Sequence, residues 1–368
     1  MKLLHIADLH LGKRVCEYPM LEDQREILHQ IAMLAVQENV SGVLIAGDVY
    51  DRPVPPQEAT ALLSDFLCEM ARADIKVLVI AGNHDSAERL SFCGELLAEE
   101  GIHVVGECEG RAVRVLLGED EEKTAVHMLS HFRPVTQRPY LGEEITTTEQ
   151  AFAALIAGME LSAAPHNILL CHTFVTGAAT CDSEQVSVGT VDSVPASLFE
   201  KFDYVALGHL HRPQGIGKNL RYAGSPLCYS FSEAGQQKSV TLIEINDKLS
   251  VRTLPLFPLH EMREVRGGMA ELMAMPYSED YIRAVVTDEE VSPDARVTLR
   301  AVFPNLMRFA VENSRTSYEE ETGEAENVAN RDPLSLFAEF YQDQCGVEPD
   351  DVRLSIMKEL LSKREVEQ

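Results

Sequence analysis

Four short apolar runs punctuate the first 110 positions, at Lys2 to Ala7, Gly42 to Ala46, Lys76 to Ala81 and Ile102 to Val105. Runs of this length, bounded by turn residues, read as buried strands. Between them Ile27, Ile31 and Leu34, and then Leu62, Phe66 and Met70, recur at spacings of three and four, which places each set on the inner face of a helix. The order strand, helix, strand, helix, strand, helix, strand predicts a parallel sheet covered by helices.

From Arg111 the rhythm changes. RAVRVLLG and AVHMLSHF are closely spaced strands, followed by a helix over Thr148 to Ser162 and strands at NILLCHTF, YVALGHL, LRYAGSP, SVTLIEI and LSVRTLPL. Two packed sheets flanked by helices account for this pattern. After Pro258, DYIRAVVTD, a helical ARVTLRAVF and LMRFAVE make a small α+β unit, and the acidic SRTSYEEETGEAENVANRD reads as a linker. The end reads as two helices broken at Gly346 and Pro349, with Leu334, Phe337, Phe340 and Tyr341 on one apolar face. The predicted organisation is 1–258, 259–313 (the α+β unit), 314–331 (linker) and 332–368 (helical tail).

The 368 residues are 45% apolar, enough for more than one core, and the formal charge is −27. No apolar stretch reaches the roughly 18 residues of a membrane span, and no signal-peptide core forms before acidic residues intervene. Eight cysteines are scattered without a C-x-x-C pair, so neither a zinc ribbon nor a disulfide framework is expected, and a reducing cytoplasm fits. The charge is unusual for a protein that grips nucleic acid by its own surface. Either the substrate is not nucleic acid, or affinity comes from bound divalent cations, a local cationic groove and a partner subunit.

Polar clusters follow five of the apolar strands: Asp8-Leu9-His10, Gly47-Asp48-x-x-Asp51, Gly82-Asn83-His84-Asp85, His172, and Gly208-His209-x-His211. Ligands of open α/β sheets bind beyond the carboxyl ends of strands, so the clusters should meet at one mouth. Their donors are carboxylate, imidazole and amide oxygen with no thiolate, a set that suits manganese, iron or zinc at a hydrolytic centre. Residues at i and i+2 leave an extended segment on the same face, which pairs Asp8 with His10 and His209 with His211. A carboxylate shared between two cations holds them roughly 3.5–4 Å apart, as two-metal hydrolysis requires, and Asp48 is the natural bridge. Cys171, on the opposite face of its strand from His172, is expected to pack. His5, His29, His103, His127, His131, His166 and His260 read as structural.

D-x-H, G-D-x-x-D, G-N-H-D, H and G-H-x-H, in this order across residues 1 to about 250, resemble the calcineurin-like metallophosphoesterases. The resemblance implies a four-layer α/β/β/α sandwich. It also implies one metal on Asp8, His10, Asp48 and His211, and a second on Asp48, Asn83, His172 and His209. It places His84 against the scissile phosphate, where an imidazole can assist the leaving oxygen. Asp85 is expected to orient His84, and Asp51 to stand behind the ligands.

A narrower resemblance rests on HIADLHLGK, GDVYDRPVPP, SEQVSVGTVDSVPASLFEKFDYVALGHLHRPQ, RYAGSPLCYSFSE and DPLSLFAEFY, which are similar to bacterial SbcD-family nuclease subunits along nearly the whole chain. That family implies a capping α+β domain that binds DNA and a C-terminal helical segment, 332–368, docking on an SbcC-type ATPase. It further implies two manganese ions, 3′ to 5′ exonuclease activity on duplex DNA, endonuclease activity on single strands and hairpins, and ATP gating. A homodimer within a heterotetramer is also expected, in the cytoplasm and associated with the nucleoid, with no membrane partner. The candidate dimer faces are Leu62, Leu63, Phe66 and Met70, or a helix from Glu88 to Leu97. Two other functions fit the motifs: a phosphatase or cyclic-nucleotide phosphodiesterase with a small substrate, and a scaffold that binds DNA ends without cutting.

Overall fold

The computed structural model describes residues 1–118, 123–161, 164–184, 193–246 and 248–314, with Tyr341, Pro349, Arg353, Leu354 and Met357. The chain opens with β1 (Lys2–Ile6), α1 (Leu21–Gln37), β2 (Gly42–Ala46), α2 (Gln57–Arg72), β3 (Lys76–Ile80) and β4 (Ile102–Val105). It crosses to a second sheet through β5 (Val113–Leu117), β6 (Thr124–Leu129), α3 (Thr148–Ala157), β7 (His166–His172), β8 (Tyr204–Gly208), β9 (Gln214–Ile216) and β10 (Leu220–Tyr222). It then returns to the first with β11 (Ser239–Ile245) and β12 (Leu249–Pro255).

Both sheets have six strands, in the orders β12-β11-β1-β2-β3-β4 and β9-β10-β8-β7-β6-β5. β1 to β4 are mutually parallel, and β6, β7, β8 and β10 form the parallel centre of the second sheet. The period of two sorts their residues between layers. Leu3, Leu44, Leu78, Ile80, Ile168 and Leu170 meet between the sheets. Leu4, Ile6, Val43, Ile45, Val77 and Val79 face α1 and α2, and Leu169 and Cys171 face the layer that contains α3. The expected four-layer α/β/β/α sandwich is therefore present. Removing one of the fully buried leucines between the sheets would cost about 2–5 kcal/mol.

Parity also sets the site. His172 shares the inner face of β7 with Ile168 and Leu170, and Cys171 packs outward, where burial pushes its thiol far up. The stripe Leu62, Leu63, Phe66 and Met70 is at most 6% exposed and packs on the first sheet, so it belongs to this chain's own core and offers no face to a partner. The helix expected from Glu88 to Leu97 is two pieces, Ala87–Leu90 and Gly94–Glu99, because Cys93 between them takes a left-handed φ of 59°. Phe92 and Leu96 on this segment are 76% and 66% exposed. α3 ends at Ala157, earlier than its apolar pattern suggests, with Gly158 as its cap.

Beyond Pro258 lies a three-stranded sheet of β13 (Met262–Gly267), β14 (Tyr281–Val286) and β15 (Leu306–Val311), with α4 (Met269–Met273) and α5 (Ala295–Leu299). β13 is legible only in the structure, because Arg263, Glu264 and Arg266 break the alternation at an edge of the sheet. Val265, Leu272, Ile282, Ala284, Val286, Leu299 and Phe303 form its core. The buried carboxylate of Asp23 on α1 receives the Tyr281 hydroxyl at 2.6 Å and the His260 N–H at 3.0 Å. By compactness the chain divides into Met1–Thr287 with Val291–Ala310, and Asp288–Glu290 with Val311–Gln368. Within the second unit the Ser314 hydroxyl donates to Glu289. The linker expected at 314–331 and the docking residues Leu334, Phe337 and Phe340 lie outside the described residues, Ser314 excepted.

Candidate metal centre

Three loops of the first sheet and two of the second bring the motif residues to one place. Asp8 and His10 follow β1, Asp48 follows β2, Asn83 to Asp85 follow β3, His172 ends β7, and His209 and His211 follow β8. Asp8, His10, Asp48 and His209 all take positive φ, at 53°, 44°, 49° and 103°. Non-glycine residues in this region are held at a cost of order 1–3 kcal/mol each, and such residues concentrate where function needs them. Three glycines make room. A Cβ on Gly47 would lie 2.4 Å from the His172 Nδ1, one on Gly82 would lie 2.1 Å from the Asp48 Oδ1, and one on Gly208 would lie 1.8 Å from the Ala46 carbonyl oxygen.

The donor atoms converge. His10 Nε2 is 3.0 Å from His211 Nε2 and 3.8 Å from Asp48 Oδ2. On the other side of Asp48, the same Oδ2 is 3.4 Å from His172 Nε2, which lies 2.9 Å from Asn83 Oδ1. Asn83 Oδ1 is in turn 3.1 Å from His209 Nδ1. Among the described residues three groups have ligand atoms all within 4.8 Å of one another: Asp8 with His10 and His211, His10 with Asp48 and His84, and Asp8 with Asp48 and His172. Two nitrogens bound to one cation at roughly 2.0–2.1 Å are separated by about 3 Å, the spacing of His10 and His211.

These residues fit divalent cations. Asp8 Oδ2 is a buried polar atom without a hydrogen-bond partner, the condition a coordinating group relieves. The donors are oxygen and imidazole nitrogen. His172 is aimed from behind: it donates Nδ1–H to the Ala46 carbonyl at 2.8 Å, which directs Nε2 at Asp48.

Charge is partitioned within the cluster. Burial pushes Asp48 up, yet His172, His10 and His84 outweigh it and hold the carboxyl well below its usual range. Burial raises Asp8 to about 7 despite His172 and His211. His172 is pulled down by burial, but Asp48 and Asp8 carry it up to about 9. Burial keeps His10 well below the ordinary imidazole value and takes His209 to about 3. In both rings burial favours the neutral form, the one with a lone pair to give.

His84 stands at the edge of the cluster, its ring perpendicular to that of His10 with centroids 4.8 Å apart. Its Nδ1 lies 3.0 Å from the Asp51 carbonyl oxygen, so Nδ1 carries the hydrogen and Nε2 is free. Asp85 does not orient it, contrary to the sequence expectation. The Asp85 carboxylate instead accepts the backbone N–H groups of Val49, Tyr50 and Gly82 at 2.9–3.0 Å and clasps the Asp48 loop to the Asn83 loop. The Asp51 side chain pairs with Lys13 at 2.7 Å and stands 3.7 Å from His10 Nδ1.

Several participants escaped the sequence reading. Ser183 and Glu233 lie behind His211, and Gln24 and Tyr229 brace the Asp8 to His10 loop by hydrogen bonds to its carbonyls. His131, read as structural, has its ring 6.1 Å from that of His172. None sits in a local motif. Ser183 opens and Glu233 closes two of the family-like segments, SEQVSVGTVDSVPASLFEKFDYVALGHLHRPQ and RYAGSPLCYSFSE, and that was the signal that could have found them.

The sequence matches the calcineurin-like phosphoesterase family over residues 1–213 and the type 5 capsule protein repressor C-terminal domain over residues 258–344. It is 30% identical to the SbcD subunit of the SbcCD nuclease of Staphylococcus epidermidis, over 98% of this chain and 98% of that one. Among solved structures, a dimetal phosphatase from Danio rerio aligns with 70% of this chain and 98% of its own at 12% identity and a TM-score of 0.44. TT1561 of Thermus thermophilus aligns with 68% of this chain and 98% of its own at 13% identity and a TM-score of 0.40. The full-length match to the staphylococcal nuclease protein and the phosphoesterase match that spans every motif residue together identify the chain as a calcineurin-like phosphoesterase of the SbcD nuclease-subunit family.

Proposed function

We propose that this protein cuts DNA phosphodiesters at a two-metal centre as the nuclease subunit of a complex that processes DNA ends and hairpins. One observation carries the reading: Asp48 Oδ2 stands between His10 Nε2 and His172 Nε2, with His84 Nε2 free at the edge. Asp8, His10, Asp48 and His211 would hold one cation, and Asp48, Asn83, His172 and His209 the other. When bound, manganese or a similar divalent pair supplies the charge that stabilises the attacking and leaving oxygens. The chain's own residues do the rest. His172 keeps Nε2 directed at the centre, the glycine-lined loops keep the carboxylates in place, and His84, with a proton on each ring nitrogen, presents Nε2–H to the leaving oxygen.

The substrate assignment has two supports. Full-length similarity to a protein of the SbcCD nuclease is one. The second addresses the charge of −27. Lys13 and Arg14 follow His10, Arg52 follows Asp51 and Arg212 follows His211, so ligand-bearing loops carry cations of their own, and Arg133 follows His131 beside them. Arg14, Arg52, Arg133 and Arg212 are exposed, Arg52 with 74% of its side chain accessible. Such residues contact phosphates without reading sequence.

The finer assignments belong to the same proposal: 3′ to 5′ exonuclease action on duplexes, endonuclease action on single strands and hairpins, and ATP gating by an SbcC-type ATPase that docks on residues 332–368. A cytoplasmic, nucleoid-associated heterotetramer would be built on a homodimer, for which Phe92 and Leu96 offer the exposed apolar contact. Among the described residues no helix is long and apolar enough to cross a membrane. The test is digestion of end-labelled duplex and hairpin DNA with manganese, with and without the ATPase and ATP, for the full chain and for a chain lacking residues 331–368. The full chain should cut DNA and respond to ATP, whereas the truncated chain should lose only the ATP response. Hydrolysis confined to a small chromogenic diester would overturn the DNA assignment, and binding of DNA ends without cleavage would reduce the protein to a scaffold.

A further inference from the structure

Behind His211 lies a buried ion pair that the hydrolytic chemistry does not itself require. Glu233 is wholly buried and Lys238 is 3% exposed, and Lys238 Nζ lies 2.6 Å from Glu233 Oε2. Placing two charges in the interior costs several kcal/mol per ion, so such a pair is a poor way to gain stability. Its connections run toward the metal centre. Glu233 Oε1 is 2.5 Å from Ser183 Oγ, and Ser183 Oγ is 2.7 Å from His211 Nδ1. Lys238 Nζ also donates to the His211 carbonyl at 2.9 Å, and Glu184 Oε1 accepts the His211 N–H at 2.6 Å.

The directions of these bonds follow from donor and acceptor capacity. The Glu233 carboxylate, taken by the ammonium on one oxygen, can only accept on the other, so the Ser183 hydroxyl donates to it. The Ser183 oxygen then has a lone pair for His211, which must donate from Nδ1. His211 Nε2 is left bare, 3.0 Å from His10 Nε2. We infer that Glu233, acting through the Ser183 hydroxyl and fixed by Lys238, is a positioning residue that holds His211 in the Nδ1–H tautomer with Nε2 aimed at the metal centre. The inference rests on the reading of His211 as a ligand, and it places one hydroxyl between imidazole and carboxylate where a direct contact is the common arrangement.

Glu233→Gln tests it without changing the shape of the side chain. Lys238 can only donate, so it takes the amide oxygen and turns the amide NH2 toward Ser183. The hydroxyl must then donate to His211 Nδ1, and the ring proton moves to Nε2. Nitrogen-15 spectra of histidine-labelled, metal-free protein should show His211 protonated on Nδ1 in the wild type and on Nε2 in Glu233→Gln. Calorimetric titration with Mn2+ should show one site weakened by roughly 10- to 100-fold and the other unchanged. Ser183→Ala, which leaves the Glu233 to Lys238 pair intact, should weaken the same site, and Ser183→Thr should restore it. A folded Glu233→Gln protein, or a folded Ser183→Ala protein should the first fail to fold, with the wild-type isotherm and an unmoved proton would overturn the inference. His211→Asn separates the two levels: loss of one manganese upholds the ligand reading, and an unchanged isotherm sinks that reading while leaving the tautomer result to stand or fall on the spectra.

Discussion

The Asp48 carboxylate occupies the space that a side chain on residue 82 would fill. Gly82 would place a Cβ 2.1 Å from Asp48 Oδ1 and 2.3 Å from the Asp48 amide nitrogen, and neither atom can retreat, because His84 N–H donates to that Oδ1 at 2.9 Å. Gly82→Ala should therefore displace the one carboxylate that faces both halves of the centre. A displacement near 1 Å costs on the order of 100-fold in rate, and manganese content should fall at both sites. Atomic absorption on the purified variant, beside its turnover of a chromogenic diester, checks this, and a variant with full metal content would contradict it.

Asp48 and His84 should separate metal binding from chemistry. Asp48→Asn removes the charge that two cations would share, and both should be lost along with activity. His84→Gln should keep two equivalents of metal and lose roughly 100- to 10,000-fold in rate, the usual contribution of a positioned acid or base. Depleted metal in the His84 variant would show that the ring is a ligand.

Asp85 should act on stability. Asp85→Ala strips the acceptor from three backbone N–H groups. Buried donors left unpaired cost about 1–3 kcal/mol each, less what water recovers, and a net loss of about 2–4 kcal/mol is expected. Urea unfolding of the metal-free protein measures it. Unchanged stability with turnover alone reduced would restore Asp85 as the partner of His84.

His5, between the two sheets and far from solvent, gives the protein an acid limit. Its Nε2 lies 3.2 Å from the Leu207 carbonyl and its Nδ1 2.9 Å from the Tyr204 hydroxyl, so both nitrogens are committed in the neutral ring. Burial, helped by the Arg221 charge, lowers its pKa from 6.5 to about 3. The unfolded chain therefore binds one more proton than the folded chain between those values. Stability from this residue is fully present above pH 6.5 and is lost as the pH falls toward 3, by about 1.4 kcal/mol per pH unit. In chelator, His5→Gln should show an unfolding free energy that falls less steeply with acid by that amount. Parallel profiles for the two proteins would exclude the effect.

The succession of strands and helices along the chain and the donor chemistry are local properties, and the sequence alone determined them. Short apolar runs bounded by turn residues and stripes of period 3.6 located β1 to β4 with α1 and α2, and the polar residues that end the strands named the donors, since a strand must deliver its next residues to the sheet edge. The tertiary structure decided which donors meet. His10 and His211 are 201 positions apart, and only the stacking of one six-stranded sheet on another brings their nitrogens to 3.0 Å. The same approach determined what stands behind them, with Ser183 and Glu233 reaching His211 from loops that carry none of the metal-ligand motifs. It also turned Asp85 toward backbone amides and the Leu62 to Met70 stripe into the core, while leaving Phe92 and Leu96 exposed. A residue's type and spacing limit the bonds it can make, but the direction of its lone pairs and the identity of its neighbour depend on backbone from the rest of the chain.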